Sequence, residues 1–382
     1  MFRLAGTLAA VEFTRGAMLI ILVPFLVTVV LHQSLDVAAF AISAHYFVDT
    51  VLRTPSGWVI DRTGTRGPLV AGIVLGVFTV TALALFSMQM PLWVVTGVFG
   101  IGTAPLWPSV VTTTSDHGSD DRGGRLGSVF AGWLVGAGLG PVVLNLVLKR
   151  NLIDAFAVLI GGQVVALLLA LLTPNRQPHR VSSKRASLAI VQSVRRLFVL
   201  FPGMFAQTMV LGVLMPIASV YIRRVLGLTG FGFDKLLFLG GGIAVLAMVP
   251  MGRLSDRLGV RLPLTAGFGL VGFGLLIFPA VRSFYSVVLL AGLIGTAYAL
   301  LLPAWNNFLA SVIPSEAAGS MWGIFMSVEG LGLTVGPLLG AQAWDRVGPV
   351  GPFWLGGLIL VVMATFYGLY PLQRLMHPLP TR

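Results

Sequence analysis

Residues 55–69, PSGWVIDRTGTRGPL, recur half a chain later as residues 250–264, PMGRLSDRLGVRLPL. Both copies fit the pattern P-x-G-x-x-x-D-R-x-G-x-R-x-P-L, and all matched positions differ by the same 195 residues (250 minus 55). Each copy follows one apolar run and precedes another. A charged hinge with glycines that lies between two apolar runs, and is duplicated half a chain later, is typical of a duplicated membrane bundle.

The composition points to the same class. Apolar residues make up 56% of the chain and charged residues 10%, with a mean hydropathy of +0.93, whereas a soluble domain carries about 25% charged residues. With 382 residues, the chain has room for about twelve apolar spans of ~20 residues each. We therefore predict an all-α membrane protein with twelve transmembrane helices, arranged as two pseudo-symmetric six-helix bundles.

One long polar connection divides the chain. Residues 174–196 hold six basic residues and no acidic residue. We predict an N-terminal six-helix bundle at 1–173, a basic cytoplasmic linker at 174–196 and a C-terminal six-helix bundle at 197–382. The expected spans lie at about 5–31, 37–60, 68–88, 91–114, 124–148, 152–173, 197–222, 234–254, 263–281, 284–312, 318–343 and 351–372.

The distribution of basic residues indicates the orientation. If the N-terminus is cytoplasmic, sixteen Lys and Arg residues fall on the cytoplasmic side and seven on the outer side. Because cytoplasmic loops carry the excess of Lys and Arg, we expect a multi-pass protein of the cell membrane with both termini in the cytoplasm. The net charge of +12 is explained by this bias, so we expect no nucleic-acid partner.

The duplication extends beyond the hinge. Proline in a membrane helix removes a backbone hydrogen bond and bends the helix, so paired prolines predict two similarly bent halves. The matched prolines differ by 192 to 198 positions and are Pro24 and Pro216, Pro105 and Pro303, Pro141 and Pro337, and Pro174 and Pro371.

Four charges lie inside the first predicted hairpin, namely Glu12 and Arg15 on helix 1 and Asp49 and Arg53 on helix 2. The spacings i,i+3 and i,i+4 place each pair on one helix face. Residues at equal heights across the hairpin predict the ion pairs Glu12–Arg53 and Arg15–Asp49. Two interpretations stay open. The four residues form either a static clamp of the hairpin, or a proton-coupling site that also binds a substrate head group.

The second half lacks these charges. The repeat offsets map the four positions to Met204, Gln207, Ala244 and Met248. A polar wall in one half and a largely apolar wall in the other favour an amphipathic substrate with a polar head and apolar tails. We interpret the apolar wall as a cavity for lipid tails, and we assign Met215, Trp305 and Glu329 to it.

Three further residues complete the predicted site. Trp107 and Trp133 lie away from the loop ends, and a flat indole is a good platform for a sugar; the alternative is packing or an interfacial belt. We add Asn306, beside Trp305, to the head-group site. Glu329 is either a second protonatable group or a neutral, hydrogen-bonded acid.

The duplicated hinge resembles the loop between helices 2 and 3 of major facilitator superfamily transporters. Both copies have Thr or Val where that family often has a first Arg. The run Gly136-x-Gly138-x-Gly140-Pro141 likewise resembles the helix-5 motif of its antiporters. The resemblance implies alternating access, with conformational gating by Gly57, Asp61, Arg62, Arg66, Gly252, Asp256, Arg257 and Arg261.

Several stretches resemble one branch of that superfamily, the proton-coupled glycolipid flippases of Gram-positive bacteria. They are VEFTRG at 11–16, AHYFVD at 44–49, APLW at 104–107, GWLVG at 132–136, LFPG at 200–203, LLPAWN at 301–306 and WGIF at 322–325. The resemblance implies head-group binding and proton coupling by Glu12, Arg15 and Asp49, a sugar at Trp107 and Trp133, and acyl chains in the C-terminal cavity. Asp61 and Glu329 depart from that branch.

We therefore predict a proton-coupled transporter that flips a glycolipid, the disaccharide-diacylglycerol anchor of lipoteichoic acid, by alternating access. The alternative is a proton-coupled efflux antiporter of small amphipathic drugs. The sequence has no HExxH, P-loop or Ser/His/Asp pattern, so we expect no enzyme and no cofactor. The chain has no cysteine, and we interpret the acidic loop 115–122 as solvated rather than metal-binding. We expect a monomer whose partners are the membrane, the substrate and protons.

Overall fold

A computed structural model describes residues 2–86, 89–115, 122–175, 193–228, 231–259, 261–312 and 318–372. Throughout these ranges the regular secondary structure is helical. We number the helices α1 to α12. They are Phe2–Gly16, Leu35–Thr63, Arg66–Phe86, Leu92–Thr103 with its continuation Leu106–Ser115 (together α4), Arg122–Leu148, Leu152–Leu171, Phe201–Arg224, Phe231–Leu258, Arg261–Ile277, Phe284–Val312, Ala318–Val347 and Gly351–Leu369.

The helix α1 does not stop at Gly16 but continues in a wider form. Two π-helical stretches, Ala17–Leu22 and Leu26–Val30, flank the short α-helical segment around Pro24. Proline cannot donate the i→i−4 hydrogen bond, and extra residues per turn accommodate the missing bond. The repeat partner, Pro216, lies in the uninterrupted helix α7, so the backbone hydrogen-bond pattern of the two halves differs here.

The helix α4 is interrupted one residue before Pro105, where its first segment ends at Thr103 and a turn follows. Its repeat partner in the second half, Pro303, lies within the continuous helix α10. The local helix structure therefore differs between the halves at this position too, while the expectation that paired prolines bend both halves in the same way stays a prediction.

Nine helices in the described ranges are long and apolar enough to cross a membrane: α1, α2, α3, α6, α7, α9, α10, α11 and α12. A shorter apolar run, Gly132–Leu148, lies in α5. These spans confirm an all-α, multi-pass membrane protein. The count of twelve transmembrane helices stays a prediction, because α4 is split and α8 is not among the nine.

The helix contacts repeat with an offset of six helices. In the first half α1 packs on α5 and α6, α2 on α4, and α3 on α6; in the second half α7 packs on α11 and α12, α8 on α10, and α9 on α12. The two halves meet where α2 packs on α11 and α5 packs on α8. The precise limits of the predicted linker stay a prediction, since 176–192 fall outside the described ranges, as does most of the acidic loop 115–122.

Candidate functional site

The first ion pair lies inside α1. Arg15 Nε donates to Glu12 Oε2 at 2.9 Å, and a second nitrogen of the guanidinium donates to the other carboxylate oxygen. Both residues are buried, with 2% of Glu12 and 6% of Arg15 exposed. The Arg15 guanidinium also lies 5.9 Å from the centre of the Tyr46 ring in α2. Its Nη1 is buried without a hydrogen-bond partner in the described part of the chain.

The second ion pair lies inside α2. Arg53 Nη2 is 2.5 Å from Asp49 Oδ2, and Thr103 Oγ1 donates to Asp49 Oδ1 at 3.1 Å. The Asp49 carboxylate is fully buried. Thr103 is the last residue before the break in α4, so the break directly follows the residue that donates to this carboxylate.

The predicted ion pairs across the hairpin are wrong. Glu12 pairs with Arg15 rather than with Arg53, and Asp49 pairs with Arg53 rather than with Arg15. Neighbours at i,i+3 and i,i+4 have Cβ atoms about 5–6 Å apart, whereas packed helix axes are separated by about 8–10 Å. The charges of the two helices nevertheless act on one another, since Asp49 interacts electrostatically with both Glu12 and Arg15.

Arg53 connects the two halves. Its Nη1 donates to the backbone carbonyl of Met326 in α11 at 3.2 Å, while its Nη2 holds Asp49. The helices are in close contact here, because a methyl group added at Gly330 of α11 would overlap the Thr50 side chain of α2. The ion pair of α2 is therefore part of the contact between the halves.

A carboxylate of the second half lies beside this contact. Glu329 is half-buried in α11 and accepts a hydrogen bond from Gln207 Nε2 of α7 at 3.3 Å. Glu329 lies one helical turn from Met326, and the charge of Arg53 acts on its carboxylate. Gln207 is the repeat partner of Arg15, and its Oε1 is buried without a partner among the described residues.

Trp107 and Trp133 meet in the first half. Their ring centres are 6.3 Å apart and their planes are inclined by 67°, an edge-to-face arrangement. Both rings are half-buried against a hydrophobic cluster that includes Leu4, Leu8 and Val11 of α1. The structure thus brings the two indoles together on the helix that carries Glu12, and their contact with a sugar stays a prediction.

The remaining predicted residues of the second half make contacts within the protein. Trp305 is fully buried, with Phe268 and Tyr367 at ring-centre distances of 6.0 and 5.6 Å. Asn306 donates to the Leu302 carbonyl of its own helix at 2.9 Å. Met215 is half-buried beside the large hydrophobic core. Trp305 therefore packs in the aromatic core in this conformation, and the assignment of a lipid-tail cavity stays a prediction.

Three residues of the site were missed by the sequence analysis: His45, Thr103 and Gln207. His45 is fully buried, its Nδ1 lies 3.1 Å from the Thr96 carbonyl oxygen, and its ring stacks on Phe99. The spacing of four residues from His45 to Asp49 and on to Arg53 places all three on one helix face, and that signal was in the sequence. Nothing in the sequence predicted the contacts of Thr103.

The duplicated hinges end α2 and α8 in the same way. Gly64 and Gly259 have positive φ angles of 86° and 71°, a conformation that favours glycine. The Arg66 backbone N–H donates to the side chain of Asn175, four residues beyond the end of α6, at 3.2 Å. The Arg261 guanidinium donates to the Gly368 carbonyl near the end of α12.

The other predicted gating residues are placed as follows. Arg62 and Arg257 are exposed, and a methyl group added at Gly57 would meet no atom within 4 Å. Gly252 lies in α8, while the side chains of Asp61 and Asp256 lie outside the described part. Their part in gating stays a prediction.

A second polar cluster joins the halves at the predicted extracellular end. Asn145 Nδ2 of α5 donates to Asp234 Oδ1 of α8 at 2.7 Å, and Lys149 Nζ lies 3.0 Å from the other oxygen of Asp234. Arg223 of α7 donates to Asn145 Oδ1 at 3.2 Å. Asn145 and Asp234 are buried, with 6% and 4% exposed. We call these four residues the extracellular clasp.

Comparison with known proteins identifies the family. The sequence profile of the Major Facilitator Superfamily matches residues 5–244 and, in a second match, residues 200–380. The chain belongs to the Major Facilitator Superfamily. Membership in this transporter superfamily agrees with the duplicated hinge and with the helix contacts that repeat after six helices. The double match covers both halves of the chain.

Two curated relatives of this superfamily member carry the name proton-coupled antiporter flippase LtaA. The protein of Staphylococcus aureus strain N315 is 28% identical over 374 residues, which cover 94% of this chain and 91% of the relative. The protein of Staphylococcus saprophyticus is 28% identical over 377 residues, with the same coverage. The predicted resemblance to a proton-coupled flippase is confirmed at this level of similarity.

Solved structures agree on the fold. A POT family transporter in complex with a thioalcohol-conjugated peptide has a TM-score of 0.77 at 15% identity, with 95% of this chain and 94% of that chain covered. The human organic anion transporter MFSD10 (TETRAN) has a TM-score of 0.74 at 16% identity, with 96% and 98% covered. At these identities the likeness concerns the fold alone.

Proposed function

We propose that this superfamily member is a proton-coupled antiporter that flips a glycolipid across the cell membrane. The observation that carries the proposal is the fully buried Asp49, whose ion-pair partner Arg53 also donates to the Met326 carbonyl in the other half. A proton-binding group whose partner holds the contact between the halves can link proton binding to the movement of those halves. The named flippase relatives support the same function.

Proton binding acts on this link through charge. When Asp49 takes up a proton, its carboxyl group becomes neutral and its hydrogen bond with Arg53 loses the assistance of the second charge. Arg53 is then an uncompensated cation in a buried position, which is costly unless another anion or dipole reaches it. A polar substrate group or a carboxylate of α11 meets that need, so proton uptake changes the contact of α2 with α11.

The polar groups of the site suit a sugar head group. Arg15 Nη1, Arg53 Nε and Gln207 Oε1 are buried without hydrogen-bond partners in the described part of the chain, and a disaccharide offers hydroxyl groups that donate and accept. The paired indoles of Trp107 and Trp133 add aromatic faces nearby. Each hydroxyl that enters hydrocarbon without a partner costs roughly 2–7 kcal/mol, so these groups lower the barrier to flipping.

The proton gradient supplies the driving force. One elementary charge that crosses a membrane potential of 100 mV releases about 2.3 kcal/mol. We expect proton entry to drive the exchange of the lipid head group between the two leaflets, while the acyl chains stay in or near the membrane. This antiport direction follows the name of the curated relatives.

Reconstitution tests the proposal. Liposomes that contain the purified protein and a fluorescent disaccharide-diacylglycerol are assayed for flipping by a membrane-impermeant quencher, with and without a pH gradient. We expect flipping that the gradient accelerates, and loss of that acceleration in Asp49→Asn and Glu12→Gln. Asp154→Asn is the matched control, because Asp154 bonds with Asn151 at the start of α6. Wild-type protein that neither flips the lipid nor responds to the gradient contradicts the proposal.

A drug antiporter is the second candidate, and Glu329 is the observation that favours it. A half-buried carboxylate beside largely apolar positions of the second half suits an amphipathic cation. The two functions separate in the same liposomes, because a drug antiporter moves a cationic dye against a proton gradient and leaves the disaccharide lipid in place. Glycolipid flipping without dye transport supports the first proposal.

A further inference from the structure

We propose that Glu329 is a second proton-binding carboxylate of the transporter, and that Arg53 alternates between Asp49 in one half and Glu329 in the other. The inference rests on the proposed function and names the groups that carry its coupling. The duplication does not account for Glu329, since its repeat partner is Trp133. Its place beside the contact between α2 and α11 gives it a role of its own.

The Arg53 guanidinium contacts both halves of the protein. Its two terminal nitrogens donate to different helices: Nη2 to Asp49 within α2, and Nη1 to the Met326 carbonyl in α11. The Met326 carbonyl belongs to a helix, so it also serves the backbone ladder and is a weak partner for a cation. Glu329 follows Met326 by three residues on the same helix face. In the proposed exchange, the Arg53 side chain moves from this carbonyl to the Glu329 carboxylate.

The surroundings of Glu329 also favour the exchange. Gln207 of α7 donates to one of its carboxylate oxygens at 3.3 Å, a long hydrogen bond that leaves room for a stronger donor. The ionisable side chains that act on Glu329 are Arg53 of α2 and Tyr298 of α10. In the described part of the chain, the ion pair of Arg53 is formed with Asp49 rather than with Glu329. The structure thus represents one of the two states of this exchange.

In this proposal, Asp49 and Glu329 alternate as the ionised partner of Arg53. With a proton on Glu329, Arg53 stays on Asp49. When the proton is on Asp49, Glu329 is the ionised carboxylate within reach, and Arg53 moves to it. The second arrangement replaces an ion pair inside α2 with an ion pair between α2 and α11. Because Thr50 and Gly330 already pack closely there, the exchange alters a contact that holds the halves together.

The test uses the full-length protein in liposomes with a fluorescent disaccharide-diacylglycerol and an internal pH indicator. Glu329→Gln keeps the shape and the bond with Gln207 but cannot bind a proton. We compare the flipping rate of Glu329→Gln with and without the gradient, and expect this variant to lose acceleration by the gradient together with proton uptake. Ser327→Ala, two residues away on α11, is the control and retains both.

The outcomes separate this inference from the proposed function. If the wild type fails to respond to the gradient, the proposed function fails. If the wild type responds and Glu329→Gln responds equally, only this inference is overturned. Where Glu329→Gln does not fold, Glu329→Asp replaces it, and the expected result is partial coupling with a shifted pH profile.

A double-mutant cycle tests the shared arginine. Arg53→Lys keeps a positive charge but loses the second arm that reaches α11. If Arg53 and Glu329 act on each other, Arg53→Lys reduces gradient acceleration by a larger factor in the wild-type background than in Glu329→Asp, which retains partial coupling. Additive effects of the two substitutions overturn the exchange of Arg53 between the carboxylates.

Discussion

The Asn145 side chain donates a hydrogen bond of 2.7 Å to Asp234, and this bond joins α5 of the first half to α8 of the second. Lys149 and Arg223 extend it into the extracellular clasp. The repeat partners of Asn145 and Asp234 are Ala341 in α11 and Ala39 in α2, so this bond has no counterpart at the repeat-related positions. The clasp therefore joins the two halves at the predicted extracellular end by hydrogen bonds and charge attraction.

Asp234→Asn is expected to open the predicted extracellular end more often. The substitution removes the charge held by Lys149, and a hydrogen bond to a charged group is worth about 1.5–3 kcal/mol. This free energy corresponds to roughly a tenfold to hundredfold change in an equilibrium constant. The chain has no cysteine, so a single cysteine at Met215, about two and a half turns below Arg224, reports access to an impermeant maleimide from outside.

The control for the clasp is Asp154→Asn, the same change at the same predicted end, in a residue that bonds within α6. We expect labelling of the Met215 cysteine to accelerate in Asp234→Asn and to stay at the original rate in Asp154→Asn. Equal labelling rates in both variants mean that the clasp does not keep this end closed.

The ion pair of α1 allows a test between a static clamp and a transport role. Arg15→Leu alone leaves Glu12 buried without a partner, so we expect it to lower the free energy of unfolding by about 3–5 kcal/mol. Glu12→Leu with Arg15→Leu removes both charges, and replacement of a buried pair by apolar residues is often neutral or stabilising. Thermal unfolding in detergent measures both effects. A double variant that is stable but does not flip lipid supports the transport role; normal flipping identifies a clamp.

The indole pair predicts selectivity for the sugar. An aromatic contact contributes about 0.5–1.5 kcal/mol, so Trp133→Ala is expected to slow flipping of the disaccharide lipid by roughly twofold to tenfold. Diacylglycerol without the sugar serves as the comparison substrate and is expected to be unaffected. Trp93→Ala is the matched control, because Trp93 forms a similar edge-to-face pair with Phe40, at 6.1 Å and 64°, on the exposed surface. Equal loss in both variants excludes a specific sugar contact.

Substitution of two hinge glycines by alanine is expected to change the stability of the protein in opposite directions. Gly259→Ala places a Cβ atom in the left-handed region and is expected to cost roughly 1–2 kcal/mol, since Gly259 has a φ of 71°. Gly57→Ala meets open space inside α2 and is expected to stabilise the protein by about 0.5–1 kcal/mol. Melting temperatures in detergent check both. If Gly57 acts in gating, Gly57→Ala also slows flipping, because its methyl group obstructs the other conformation; unchanged flipping removes Gly57 from the gate.

Most of the architecture could be predicted from the sequence because local patterns determine it. Apolar run length determines which segments cross the membrane, and the spacing of the matched hinges predicts the duplication. The positive φ angles of Gly64 and Gly259 follow from the same hinge pattern. The charges of the first hairpin were found for the same reason, because spacings of three and four residues place side chains on one helix face. The interruption of the helix at Pro105 and the continuous helix at Pro303 were not predictable, because both prolines have the same local chemistry.

Only the tertiary structure decided which groups meet across the chain. Arg53 and the Met326 carbonyl are separated by 273 residues, and Gln207 and Glu329 by 122. No periodicity within one helix encodes such contacts, since they depend on which faces two packed helices turn toward each other. The sequence by itself determined a duplicated membrane transporter with four charges inside its first hairpin. The packing of α2 on α11 decided that one of those charges holds the two halves together.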